Sequence, residues 1–125
     1  MEVQRTGIIL NTEHYDACVA FYQNVLSLRV MFDRREGDFA LTCLAFGGSY
    51  LMIETEGIAR PEGKTPAESA HKLRLNVADL KQVEQHLQAL GVEYQRLDRD
   101  WGSTINLHDP DGNRIGIRDE SSFHP

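Results

Sequence analysis

Hydrophobic residues recur along this chain with two periods, one near two and one near 3.6, and the two periods alternate in order. Residues 7–10 (Gly-Ile-Ile-Leu) predict a short strand. Over residues 14–26, Cys18, Phe21, Tyr22, Val25 and Leu26 fall on one helical face, with Asn11 or Thr12 as the cap. Residues 28–32 predict a strand. Residues 39–46 and 50–54 predict two more, joined through Gly47, Gly48 and Ser49, a glycine pair between β-type runs. From 57 to 70 the composition shifts to Pro, Gly, Glu, Lys and Ala, which predicts a linker.

The second half repeats the scheme. Residues 72–77 alternate as a strand, and Asp79 with Gln82 three residues later is a capping-box pattern. Leu80, Val83, Leu87 and Leu90 then form an apolar stripe that Gly91 ends. Residues 92–97 predict a strand, and Trp101-Gly102 opens a loop. Residues 105–117 are two alternating runs around Asp109-Pro110-Asp111-Gly112. Each residue of that tetrad suits a turn: Asp109 can accept an N–H from two residues on, Pro110 presets φ, and Gly112 can take a positive φ. Residues 121–125 predict a frayed tail.

The order strand, helix, three strands thus occurs twice. Leu26 matches Leu90 and Met52 matches Gly116, both at an offset of 64 residues. A lone half could not bury both its sheet and its helix, so the two βαβββ halves predict one α+β domain spanning the chain. Module one is 5–56, the linker 57–70 and module two 71–120.

Composition narrows the classes. Apolar residues make up 41% and charged residues 26% of 125, ordinary for a soluble globular chain. The net charge of −6, with no basic block to offset it, argues against nucleic-acid and anionic-membrane partners. No run approaches the roughly 20 apolar residues of a membrane span, and the first twenty residues lack a signal-peptide pattern. Cys18 and Cys43 sit inside apolar patterns with no metal or disulfide spacing, which predicts reduced core thiols in a cytoplasmic protein.

The duplicated βαβββ order, the segment Cys18-Val-Ala-Phe-Tyr-Gln-Asn-Val-Leu-Ser-Leu and the ending Asp109-Pro-Asp-Gly-Asn-Arg-Ile together resemble the vicinal oxygen chelate superfamily. That group holds glyoxalase I, extradiol dioxygenases, fosfomycin-resistance enzymes and bleomycin-resistance proteins. The resemblance implies paired modules whose mixed sheets curl into a cup with helices outside, usually completed in a homodimer.

In metal-using members, the resemblance implies, each module gives a His or Gln from its first strand and a Glu from its last. The matching first-strand residues here are Gly7 (or Arg5) and Lys72, and the last-strand residues are Met52 and Gly116. None is a ligand of the expected kind. His71 is one residue from the matching position, and a one-residue slip turns it to the other face. Glu54, two beyond Met52, is either a substitute carboxylate or a solvated strand end.

If Leu51, Ile53, Leu73, Leu75, Ile105 and Leu107 pack under the helices, alternation sends their neighbours into the cup. The candidate ligand-binding residues are therefore Tyr50, Met52, Glu54, Arg74, Trp101, Asn106, His108 and Arg118. Lys72, Asn76, Thr104 and Arg114 share their faces. Trp101 could stack on a flat ligand, His108 could hydrogen-bond or act as a base, and the arginines favour a carboxylate-bearing ligand. One reading is a cytoplasmic homodimer that binds a small organic molecule, with no cofactor and no chemistry. A second is a metal-dependent lyase, isomerase or dioxygenase with a site rearranged around Glu54 and His108. A third is a purely structural or regulatory dimer.

Overall fold

Each half of the repeat builds its own four-stranded sheet in a computed structural model of the chain, which describes residues 1–124. The first unit, Met1–Ala59, contains β1 (Gly7–Asn11), α1 (Tyr15–Ala20), β2 (Val30–Glu36), β3 (Phe39–Phe46) and β4 (Ser49–Glu54). The second begins at Arg60 and contains β5 (Leu73–Val77), α2 (Leu80–Ala89), β6 (Gln95–Arg99), β7 (Gly102–His108) and β8 (Arg114–Asp119). The strand orders are the same, β1-β4-β3-β2 and β5-β8-β7-β6. In each sheet the first strand runs parallel to the last and the other pairs are antiparallel. The α+β duplication read from the sequence is the fold.

In the first unit, alternation along β3 and β4 sends Leu44, Leu51 and Ile53 to the helix side, where all three are buried with Cys18, Phe21 and Tyr22. Phe21 and Tyr22 meet edge to face at 5.4 Å. Burial of such side chains stabilises by roughly 1.5–3 kcal/mol each. Asn11 and Thr12 do not cap the helix as expected. The Thr12 hydroxyl donates to the Glu54 carbonyl at 2.8 Å and the Asn11 amide to the Thr55 carbonyl at 2.9 Å, so both tie β1 to the end of β4. His14 takes the cap position instead. The predicted single helix over 14–26 is α1 followed by a π-turn over Phe21–Val25. Ser27 then turns with φ +57°, and the Leu28 N–H still donates to the Tyr22 carbonyl at 3.0 Å. The chain is therefore leaving the helix at 28, and β2 starts at Val30. It runs on through Asp33-Arg34-Arg35-Glu36 because it is an edge strand whose free side faces water.

In the second unit, α2 packs on β7 and β8 over Leu73, Ile105, Leu107, Ile115 and Ile117, all buried with Leu80 and Leu87. Leu75 is half-buried, and Leu90, expected in the stripe, is exposed at the helix cap. The Asp79 carboxylate accepts from the Gln82 N–H at 3.1 Å as the sequence implied. Gly91, at φ +68°, donates to the Gln88 carbonyl, and Val92 donates to that of Leu87. That paired closure consumes Val92, and the Tyr94 hydroxyl is held between Gln88 and Glu84. So β6 begins at Gln95 rather than at 92.

The Asp109 turn forms as read. Its Oδ1 accepts from the Asp111 and Asn113 N–H groups, each at 2.9 Å, and its Oδ2 from the Asn113 amide at 2.8 Å. Gly112 has φ +85° and lies against the Arg60 carbonyl. The segment expected to be linker supplies this contact. The Arg60 N–H donates to Asp111, the Lys64 N–H to Gly112, and Lys64 Nζ to Asn113. The expected frayed tail is bonded through Phe123, because the Asp119 carboxylate accepts from Ser121 and Ser122 and the Phe123 N–H donates to Glu120. Pro125 lies outside the described residues.

Candidate functional site

The face of the second sheet opposite α2 carries Lys72, Arg74 and Asn76, Thr104, Asn106 and His108, and Arg114, Gly116 and Arg118. Strand register sets Arg74 and Asn106 on either side of Gly116, Asn76 beside Arg118, and His108 beside Arg114. Lys72 Nζ donates to the Asn106 side-chain amide oxygen, Oδ1, at 2.8 Å. The Arg114 guanidinium donates to the carbonyls of Ser69 (3.0 Å) and His71 (3.1 Å), while its buried Nε has no hydrogen-bond partner. Burial first, then the like charges of Arg74 and Arg114, push the Lys72 ammonium below the usual lysine range. Burial and the charge of Arg118 lower Arg74 in the same sense.

Arg118 is the most constrained of these cations. Its guanidinium lies 5.2 Å from the Trp101 ring centre and 5.3 Å from that of Phe123, and it donates to the Trp101 carbonyl and the Ser122 hydroxyl. Gly102 makes room for this arrangement: a Cβ there would come 2.3 Å from Ser122 Oγ and 2.9 Å from Arg118 Nη2. Trp101 therefore packs on an arginine of its own module while half its surface stays exposed. Ser122 and Phe123 were missed by sequence reasoning, since a polar tail after the last strand carries no periodic signal.

The corresponding face of the first sheet is different in kind. Tyr50, Met52 and Glu54 point away from the buried Leu51 and Ile53, with Gly7, Ile9 and Asn11 beside them and Leu41, Cys43 and Ala45 across. Ile9 and Phe32 are exposed. Burial pushes the Cys43 thiol up, with the charge of Arg5 opposing, so it sits as a protonated apolar group. A separate cleft of about 240 Å³ on this unit is lined by Tyr15, Asp16, Asp33, Arg34, Arg35 and Thr42, with the Tyr15 and Thr42 hydroxyls bonded to each other. No sequence motif marked it.

The sequence profile of the glyoxalase-like domain matches residues 7–117. The chain belongs to that family. Its superfamily is the vicinal oxygen chelate group. Solved structures share the fold over nearly the whole chain. A glyoxylase/bleomycin resistance protein/dioxygenase domain from Frankia sp. EAN1pec covers 99% of this chain and 95% of its own, at 14% identity and TM-score 0.76. The fosfomycin resistance protein FosX of Listeria monocytogenes, complexed with Mn(II) and sulfate, covers 95% and 93% at 16% identity and TM-score 0.73. Lactoylglutathione lyase of Agrobacterium tumefaciens covers 100% of both at 14% identity and TM-score 0.70. No curated protein matches in sequence.

In this glyoxalase-like chain, other groups fill the positions matching the family's ligands. A Cβ on Gly7 would fall 2.2 Å from the Tyr50 ring, which lies over this glycine. A Cβ on Gly116 would lie 3.0 Å from Lys72 Cε and 3.2 Å from Arg74 Nη1, so an ammonium and a guanidinium lean over the place of a last-strand carboxylate. With Met52 and Lys72 at the other two matched positions, the four residues offer no donor set that fits a hard divalent cation. His71 precedes β5, and its ring bonds to the Ser69 hydroxyl. Among the described residues, no three His, Cys, Asp or Glu side chains gather as a metal site. Nor is any helix of the described residues long and apolar enough to cross a membrane.

Proposed function

We propose that this glyoxalase-like protein binds a small organic molecule through fixed side chains and performs no metal chemistry on it. The observation that carries this reading is the donor set itself: Gly7, Lys72, Met52 and Gly116 stand where the resemblance calls for His, Gln or Glu, and none supplies an imidazole, amide or carboxylate to a divalent cation. On the second open face, Arg74, Asn106, His108 and Arg118 offer donors, with Trp101 at the end of the face as an aromatic surface. On the first, Tyr50, Met52 and Glu54 offer an aromatic, a thioether and a carboxylate. A homodimer is the assembly that the family resemblance implies, and the exposed Ile9, Met31 and Phe32 support it. Buried Cys18 and Cys43, without a disulfide, support a reducing compartment such as the cytoplasm.

Elemental analysis of tag-free protein, paired with a thermal-shift screen of small organic compounds, tests the reading. The expected result is metal well below one equivalent and a Tm rise with a ligand subset in the presence of chelator. Stoichiometric Ni, Zn, Mn or Fe with turnover of a glutathione hemithioacetal or a catechol would replace it by the lyase, isomerase or dioxygenase reading, with Glu54 and His108 as the residues to mutate first.

A further inference from the structure

Four permanent or near-permanent cations share one face of the second sheet: Lys72, Arg74, Arg114 and Arg118. Among the described residues, none of the four forms an ion pair with a carboxylate, although the chain as a whole carries a net charge of −6. The acidic residues near this face are engaged elsewhere. Asp119 accepts from Ser103, Ser121 and Ser122, and Glu120 accepts from the Asn76 amide. The cations also feel one another, Lys72 with Arg74 and Arg114, and Arg74 with Arg118. At their centre is Gly116, whose missing side chain leaves a floor over which Lys72 Cε and Arg74 Nη1 lean. Beside them, the buried Arg114 Nε has a proton and no acceptor.

We infer that this glycine-floored cluster is an oxyanion site, taking the phosphoryl, phosphonyl or carboxylate group of the small molecule bound by the protein. The inference rests on the small-molecule reading above and gives its ligand a charge. Like charges held together without counter-charges raise the energy of the empty protein. An oxyanion removes that repulsion and supplies acceptors for the guanidinium N–H groups, which favour planar, two-point contacts with such groups. Asn106 holds Lys72 by its amide oxygen, a neutral acceptor that fixes the ammonium without neutralising it. The fixed cations thus surround Gly116, the last-strand position at which the family resemblance implies a metal-binding carboxylate, and they offer positive charge there without a metal.

The experiment is thermal unfolding of the full chain in EDTA at constant ionic strength. The probes are inorganic phosphate, phenylphosphonate, benzoate and the uncharged benzamide, against wild type, Arg74→Gln and Lys72→Gln/Arg74→Gln. Phosphate and phenylphosphonate at 10 mM are expected to raise the wild-type Tm by about 3 °C or more, benzoate by less, and benzamide by less still. The double variant is expected to lose the anion response while its unliganded Tm holds or rises, because the substitutions remove two like charges that repel their neighbours. An equal response to benzoate and phenylphosphonate would assign the site to carboxylates as readily as to phosphonates, leaving the oxyanion inference in place. A shift that persists in the double variant would show anion binding elsewhere and overturn the inference. Response to benzamide or other neutral compounds without response to any anion would overturn it while the small-molecule reading stands. Stabilisation by no compound of any charge would remove both.

Discussion

The two modules share strand order, pairing and helix placement, yet their open faces are opposites. Register equates Ile9 with Arg74, Met52 with Gly116, Tyr50 with Arg114, Glu54 with Arg118 and Cys43 with Asn106. One wall is largely apolar, and the other is polar and cationic. The helix-side faces show no such divergence: Leu51 and Ile53 match Ile115 and Ile117, and all four are buried. The difference shows which constraint each surface obeys. A face covered by a helix must bury apolar area or the module does not fold. The opposite face is free of that demand, so its chemistry can be set by a ligand.

Matched substitutions sharpen the comparison. The largest effects should come from the shared side, and they should be alike: Leu51→Ala and Ile115→Ala are each expected to cost about 2–5 kcal/mol in urea denaturation. A cost under about 1 kcal/mol at either position would show that its module does not depend on that core. The hairpins should differ next. At Gly112, φ is +85° and a Cβ would fall 1.9 Å from the Arg60 carbonyl oxygen, so Gly112→Ala is expected to cost about 3 kcal/mol or more. Gly47, at φ +59°, has open space around it, and Gly47→Ala should cost only about 1–2 kcal/mol. Asp79→Ala, which removes the cap of α2, is expected to cost about 1 kcal/mol, read by the same titration.

The smallest effect concerns acid. Hydrogen bonds from Ser122 first, then from Ser121 and Ser103, hold the Asp119 carboxyl well below its ordinary value of 3.8. Its folded-state pKa is depressed, so its contribution is present above about pH 4 and is lost as pH falls through the lower folded value. Stability measured from pH 5 to pH 2 should therefore fall less steeply in Asp119→Asn than in wild type. An unchanged slope would mean that these serine contacts do not form in solution.

Local chemistry made much of this molecule readable from its residues. Asp79 and Gly91 mark the ends of α2, and Asp109 through Gly112 build their turn, because each signal acts within four residues of chain. The face assignment of Arg74, Asn106, His108, Arg114 and Arg118 was legible for the same reason, since alternation is a property of one strand. Where α1 has no such side-chain cap, its start was read to within one residue, but its cap residue and its π-turn were not readable, and neither were the starts of β2 and β6.

The sequence by itself determined the repeated order of elements, the turn at Asp109 and the side of each strand that a residue takes, because these follow from backbone sterics and short-range bonding. Only the tertiary structure decided that residues 60–64 clamp that turn, that Ser122 and Phe123 hold Arg118, and that Lys72 and Arg74 lean over Gly116. Those contacts join strands and loops separated by tens of residues. Their energy lies in packing and charge proximity, which no periodicity along one strand encodes.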